Sequence, residues 1–341
     1  MRGTKTQLHR TRKEIGRADE LSFAAVLGPP FSNAGCETLG AAGHEEKRMR
    51  YGNSELFCLP RASHSLVCFI VLLGLLSRLY ADSTSGWQAL SPGMELKYLP
   101  LTRPNAPASA NLTVLRIDPH LWELELIGAS LTGETAGHTA REWCASHKLT
   151  AAINAGMFKT DGTTHVGFMR FREHVNNAKV NSYQSVAAFD ARAPGSLAPF
   201  RIFDLDSPGV TLQSILKDYG SAVQNLRLIK RPGSNQWGQQ DRKWSEAALG
   251  EDSSGRVLFL FSRYPFSMHD LNQELLSAGI GLVAAQHLEG GPEAQLYLRI
   301  GEKQTELFGS YESSFVEDDS NAKPWPIPNV LGVRPRSSAT R

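Results

Sequence analysis

The sequence predicts an α+β fold: one domain built on a mixed, mainly antiparallel β-sheet core with a few packed helices. Three observations lead there. Apolar runs and apolar–polar alternation of strand length recur through most of the chain. Only three segments carry helical spacing. Strands and helices do not alternate strictly, as a doubly wound sheet would require. The 341 residues, 41% hydrophobic and 21% charged, suit an ordinary globular domain, with no internal repeat and no domain-sized linker.

Taken in order, residues 93–101 (GMELKYLPL) alternate like a strand. Two strands follow at 110–117 and 121–128, joined by the turn pair Asp118-Pro119. HTAREWCASHK (138–148) reads as a helix and LTAAIN (149–154) as a short buried strand. A loop rich in Gly, Asp and Thr leads to a strand at 165–172. Strands are expected at 183–191 and 200–205. Residues 211–220 have a Thr cap, helical spacing and a terminal Gly. Residues 222–230 read as one strand, and 246–262 as a hairpin turning at 252–255. A Ser-capped helix covers 267–279. Apolar strands then flank QHLEGGPEA (286–294). The Pro-rich 322–329 reads as a covering loop.

The first eighty residues differ. Residues 1–48 show no sustained period and read as disordered, or as an over-extended start before Met49. Leu66 to Leu76 is an uninterrupted apolar run with Arg50 and Arg61 upstream and Leu79-Tyr80-Ala81 after it. Residues 49–81 thus read as a signal peptide or N-terminal anchor. The run is too short to span a bilayer as a helix, so no stable membrane span is expected in the mature form, residues 82–341. The implied location is secreted, periplasmic or cell-envelope.

The leader carries the basic excess. The chain is +2 overall; residues 1–81 hold eleven Lys/Arg and seven Asp/Glu, which leaves 25 against 27, or −2. No clustered basic face suggests nucleic acid as a partner. Of four cysteines only Cys144 follows the leader, so no intramolecular disulfide is expected there. On a helix, Cys144 reads as a core residue.

Zinc-ligand spacing, phosphate-binding glycine loops and GxSxG are absent. What stands out is polar or glycine-rich punctuation at strand ends, where a rigid scaffold presents side chains to a cleft. AAINAGMF places Asn154 and Gly156 after a buried strand. AAQHLEGG places Glu289, Gly290 and Gly291 after another. WSEAALG sets Glu246 ahead of a third. FSRYPFSMHD carries Arg263, His269 and Asp270 where a strand hands over to a helix. Taken singly, each is more often a cap or turn former. Asp161, in TDGTT, reads as a turn residue.

These segments, with SPGMELKYLPL…LTVLRIDPHLWELEL before them and PIPNVLGVRPR at the end, come in the order of the phosphodiester glycosidase family, which the sequence resembles over nearly all of 86–336. Asn154-Ala-Gly156-Met-Phe158 resembles the family's Asn-Gly-Gly-Phe-Phe, and Glu289-Gly290-Gly291 its Asp-Gly-Gly-Gly-Ser. Glu246-Ala-Ala-Leu-Gly250 stands where the family has Arg-Thr-Ala-Ile-Gly, so the Arg is lost. The departures resemble a bacterial subgroup.

The resemblance implies an exported hydrolase cutting the sugar–oxygen bond of a sugar-1-phosphodiester, with a sugar-phosphate or polysaccharide as substrate. That bond breaks through an oxocarbenium-like transition state served by paired carboxylates. Glu289 is expected as nucleophile or base, Glu246 as the second carboxylate and His269 as acid or phosphate donor. Arg263 would clamp the phosphate with its donor fork. Asn154 and Asn329 would bind sugar hydroxyls, Gly156, Gly290 and Gly291 would allow close approach, and Asp270 would line the substrate. No cofactor is called for. Two alternatives stay open: a non-catalytic carbohydrate-binding or envelope protein on the same fold, and a metal-assisted phosphodiesterase with Glu246, Asp270 and Glu289 as oxygen ligands of a divalent ion.

Overall fold

Three antiparallel sheets meet around one apolar core. The computed structural model describes residues 86–101, 103 and 106–337; the expected leader at 49–81 and the segment before it lie outside the described residues. The first sheet runs in the order β1 (Gln88–Ser91), β2 (Met94–Pro100), β3 (Asn111–Ile117), β14 (Val257–Phe266), β13 (Trp244–Asp252), β15 (Leu282–Gly290), β11 (Arg227–Lys230) and β12 (Ser234–Asn235). The second runs β17 (Lys303–Phe308), β16 (Gln295–Ile300), β5 (Ala151–Asn154), β18 (Asn329–Pro335) and β4 (Trp122–Gly128). The third runs β7 (His174–Asn177), β6 (Met169–Phe171), β10 (Tyr219–Asn225), β8 (Ser185–Ala191) and β9 (Phe200–Asp204). Four α-helices are present among the described residues: α1 (Ala129–Thr132), α2 (Ala140–His147), α3 (Leu212–Asp218) and α4 (Met268–Ser277). None of the helices there is long and apolar enough to cross a membrane.

The main core draws on all three sheets. Leu115, Phe259, Leu249 and Leu288 come from the first, Ile153, Leu296 and Leu331 from the second, and Phe189, Phe200 and Val223 from the third. The opposite face of the first sheet packs Trp244, Ala248 and Ala285 against Leu271 and Leu275 of α4. Strand β13 is therefore buried on both faces, and all nine of its residues are buried. That accounts for its run of small and apolar residues, and it makes a charge there, at Glu246, costly unless it is satisfied.

Local chemistry sets the helix starts. Thr139 and Glu142 close a capping box at α2, and Ser267 Oγ accepts the Asp270 N–H at α4. In α2, Trp143 is fully buried and donates from Nε1 to the Ile327 carbonyl at 2.9 Å. Cys144 is buried beside it, with its thiol pushed up by burial, so it packs as a small hydrophobe.

Several expected elements change. The single strand at 222–230 is two: β10 ends at Asn225 in the third sheet, and the chain bends at Leu226 to enter the first sheet as β11. The polar pair Gln224-Asn225 precedes the bend, but both residues are buried in β10, so the pattern alone does not separate a bend from a continuing strand. The helix expected over 211–220 stops at Asp218, and Gly220 already lies in β10. The strand expected over 165–172 is reduced to Met169–Phe171, because His165 and Gly167 bond one another locally. The strands either side of Asp118-Pro119 do not pair with each other; β3 and β4 belong to different sheets.

Candidate active site

Where β13 and β15 lie side by side, the sheet brings Glu246 and Glu289 onto neighbouring strands. Glu246 pairs with Gly290 and Ala247 with Glu289; the register then shifts, and Ala248 pairs with His287. Leu288 is the extra residue of this bulge and points into the main core. Glu246, Ala248 and His287 share the face that carries Trp244.

Glu246 and His287 form a buried pair. Glu246 is 2% exposed, Glu289 3% and His287 4%. His287 Nδ1 lies 2.6 Å from Glu246 Oε1, and Trp244 Nε1 donates to Glu246 Oε2 at 2.6 Å. The Trp244 and His287 rings meet edge to face at 6.0 Å between centroids. Burial pushes the Glu246 carboxyl up, and the bonds from His287 and Trp244 offset this in part. Burial pushes the His287 imidazole down, but the charges of Glu246, Glu289 and Glu312 outweigh it and raise the ring above its ordinary value. One proton is thus held tightly between Glu246 and His287.

The glycines let three segments close on one another. Gly290 passes under Trp244: a Cβ there would lie 2.8 Å from Trp244 Cδ1. Gly291 takes φ +63°, a left-handed conformation that favours glycine, and a Cβ on it would meet Glu312 Oε2 at 2.5 Å. The segment carrying Glu312 therefore covers this turn. Arg263 holds that segment in place. Its Nε donates to Asp319 Oδ1 at 2.7 Å, and its other nitrogens donate to the carbonyls of Phe308 and Asn321, each at 2.8 Å. Ser245 Oγ bonds the Arg263 carbonyl and the Ser310 N–H, so both residues brace the same segment, and the Arg263 guanidinium is engaged there.

After Gly291 the chain makes one 3-10 turn, Gly291–Glu293, and enters the second sheet as β16. Asn154, at the end of β5, pins this turn: Nδ2 donates to the Glu293 carbonyl at 2.9 Å, and Oδ1 accepts the Gln295 N–H at 2.7 Å. Asn329 opens β18 beside it; its carbonyl accepts the Ala155 N–H at 3.1 Å, and its Nδ2 donates to the Thr163 carbonyl at 3.2 Å. Gly156 backs onto His165 and Asn225, which bond each other at 3.0 Å. Replacing Asn154 by Ala strands a buried carbonyl and a buried N–H. The expected cost is about 1–3 kcal/mol, read as a lower denaturant midpoint at unchanged m.

The structure thus joins Glu246, Glu289, Gly290 and Gly291, and links them through the Asn154 contacts to Gly156 and Asn329. It places His269 and Asp270 elsewhere. They start α4, where Asp270 pairs with Arg103 at 3.3 Å and His269 Nδ1 lies 3.3 Å from Asp270 Oδ1. Among the described residues no three His, Cys, Asp or Glu side chains are grouped as a metal would need. Asp161 accepts the N–H groups of Thr163 and Thr164 as a turn former. The residues that the sequence did not single out are His287, Trp244 and Glu312. Trp244 could have been found from period-2 spacing, because it stands two before Glu246; His287 could not, because the bulge at Leu288 breaks the period between it and Glu289.

Comparison with known proteins speaks to family and fold. The sequence profile described as phosphodiester glycosidase matches residues 147–334, more than half of the chain. No curated protein sequence matches significantly. The structure is similar to the zebrafish N-acetylglucosamine-1-phosphodiester alpha-N-acetylglucosaminidase catalytic domain, solved auto-inhibited by its pro-peptide. The TM-score is 0.52 and the identity 13%, over 72% of this chain and 85% of that one. A hypothetical protein from Synechocystis matches with a TM-score of 0.45 and 13% identity, over 70% of this chain and 61% of that one. At such identities the first likeness speaks for the fold.

Proposed function

This chain belongs to the phosphodiester glycosidase family, and from that premise we propose that it hydrolyses a sugar-1-phosphodiester at the sugar–oxygen bond, with Glu289 and Glu246 as the paired carboxylates. The observation that carries the reading is the burial of both carboxylates on adjacent strands, at the glycine turn that joins the first and second sheets. Buried charges clustered around perturbed groups are costly for a scaffold and mark functional sites.

In this reading Glu289 faces the anomeric carbon, as nucleophile or as base to a water. Glu246 acts from the neighbouring strand through the groups it bonds. The phosphate leaves with the electron pair of the broken bond, and its charge has to be met by a donor. Arg263 holds the 309–321 segment rather than presenting an open guanidinium, so its part is to keep that cover over Gly291. Asn154 and Asn329 fix the wall of the site, and His269 and Asp270 lie outside it.

Export through the 49–81 leader belongs to the same proposal. A sugar-phosphodiester of a cell-envelope polymer would then be the substrate class in reach. The test is release of free sugar by the purified chain from a panel of sugar-1-phosphodiesters. Sugar release identifies the substrate. A folded chain that releases no sugar from any of them, yet binds the sugars, would replace the glycosidase reading with the carbohydrate-binding one.

A further inference from the structure

Both oxygens of Glu246 are already engaged by protein donors. Oε2 accepts Trp244 Nε1–H and Oε1 accepts His287 Nδ1–H, both at 2.6 Å. The His287 backbone N–H is fixed as well, donating to the Leu226 carbonyl at 2.8 Å. The ring is therefore held in plane and in tautomer, with its side chain 5% exposed. Its second nitrogen, Nε2, has no hydrogen-bond partner among the described residues. An imidazole with one nitrogen anchored on a carboxylate and the other open is the arrangement of a proton-transfer group.

We propose that His287 Nε2 is the acid that protonates the departing phosphate oxygen, and that Glu246 is its positioning residue. The assignment rests on the glycosidase reading above and supplies its missing donor. Glu246 on β13, Glu289 on β15 and Glu312 on the 309–321 segment are the charged groups that act on the ring. All three are acidic and favour the imidazolium, which carries a proton on Nε2.

The step balances. The bond between the anomeric carbon and the phosphate oxygen breaks, and its electron pair goes to that oxygen. The Nε2 proton follows it, which leaves a neutral imidazole still bonded to Glu246. A water supplies hydroxide to the carbon. With Glu289 as base, the water's proton goes to Glu289 and then returns to His287. With Glu289 as nucleophile, the proton goes to Nε2 as the water displaces the carboxylate. In both cases the site regains its starting protonation.

The experiment measures kcat/KM of the full chain against pH, on the sugar-1-phosphodiester that the wild type cleaves. His287→Gln and His287→Asn stand beside it, so that a packing defect peculiar to one amide is told apart from loss of the ring, and Glu246→Gln completes the set. A lost general acid lowers the rate by roughly 10²–10⁴-fold and removes the alkaline limb of the profile, which reports the imidazolium. Glu246→Gln lets the amide donate to Nδ1 and moves the ring proton to Nε2 without the positive charge, so the alkaline limb moves to lower pH. A uniform loss that keeps the limb, or no loss, overturns the assignment and leaves the glycosidase reading standing. A wild type inactive on every phosphodiester removes that reading, and this assignment with it.

Discussion

Glu289→Gln is expected to silence sugar release by roughly 10²–10⁴-fold in kcat while the protein melts within a few degrees of the wild type. The two side chains have the same shape, and the Gln oxygen can still accept the Gly290 N–H that Glu289 Oε1 accepts at 3.1 Å. What is lost is the charge that would meet a developing oxocarbenium ion, and an amide can neither attack that carbon nor take a proton from water. Glu312→Gln is the matched control. It also removes an acidic charge that acts on His287, from the covering segment rather than from β15. Loss in both variants to the same degree would assign the effect to the general field around His287. Loss confined to Glu289→Gln would assign it to the chemistry at the carbon. Full activity in Glu289→Gln would remove this carboxylate from the reaction.

The α+β architecture was legible because strand and helix periods are local. Alternation in MELKYLP and the Ser267 cap are each visible within a few residues, and β2 and α4 follow them. Sheet membership was not legible, because it depends on contacts far along the chain. The bend at Leu226 moves the strand from the third sheet to the first, and the polar pair before it, Gln224-Asn225, is as buried as its apolar neighbours. The site divides along the same line. Glu246, Glu289 and the Asn154 turn could be picked out as polar marks at strand ends, and the register brings them together. Arg263 and His269 carried the right chemistry for a phosphate, yet strand parity and a helix start give them other partners: Arg263 pairs with Asp319 and His269 with Asp270. His287 is hidden in the sequence for the opposite reason. A lone histidine in an apolar run looks like core until its partner on the next strand is known, and that partner, Glu246, is 41 residues away in sequence.

Glu246→Ala should be the most destabilising single change at the site, by about 3–5 kcal/mol, because it leaves one member of a buried ion pair without its counterpart. It also strips the Trp244 Nε1–H of its acceptor. Glu246→Gln keeps an acceptor for Trp244 and a donor for His287, and is expected to lose much less. The pair gives the protein a specific pH response as well. Both groups have raised values in the folded state, Glu246 above an ordinary 4.5 and His287 above 6.5. The native state therefore holds the shared proton more tightly than the unfolded chain does. Stability from this source is present at low pH and is lost as pH rises through the folded values, with the His287 part of the fall starting above about 6.5. Carboxylates held below their ordinary values, such as Glu142 and Asp206, act only in the acid range. The raised Cys144 and Tyr219 start from ordinary values of 9.0 and 10.0. Burial pushes the His165 imidazole below its ordinary 6.5, so that ring adds stability as pH rises through about 6.5, the opposite sign, and does so equally with or without the pair; the pair is read from the difference between the two slopes. Followed from pH 6 to pH 8.5, the melting temperature of the wild type should fall relative to that of Glu246→Gln/His287→Gln. An equal slope in both proteins would mean that Glu246 and His287 do not hold that proton together.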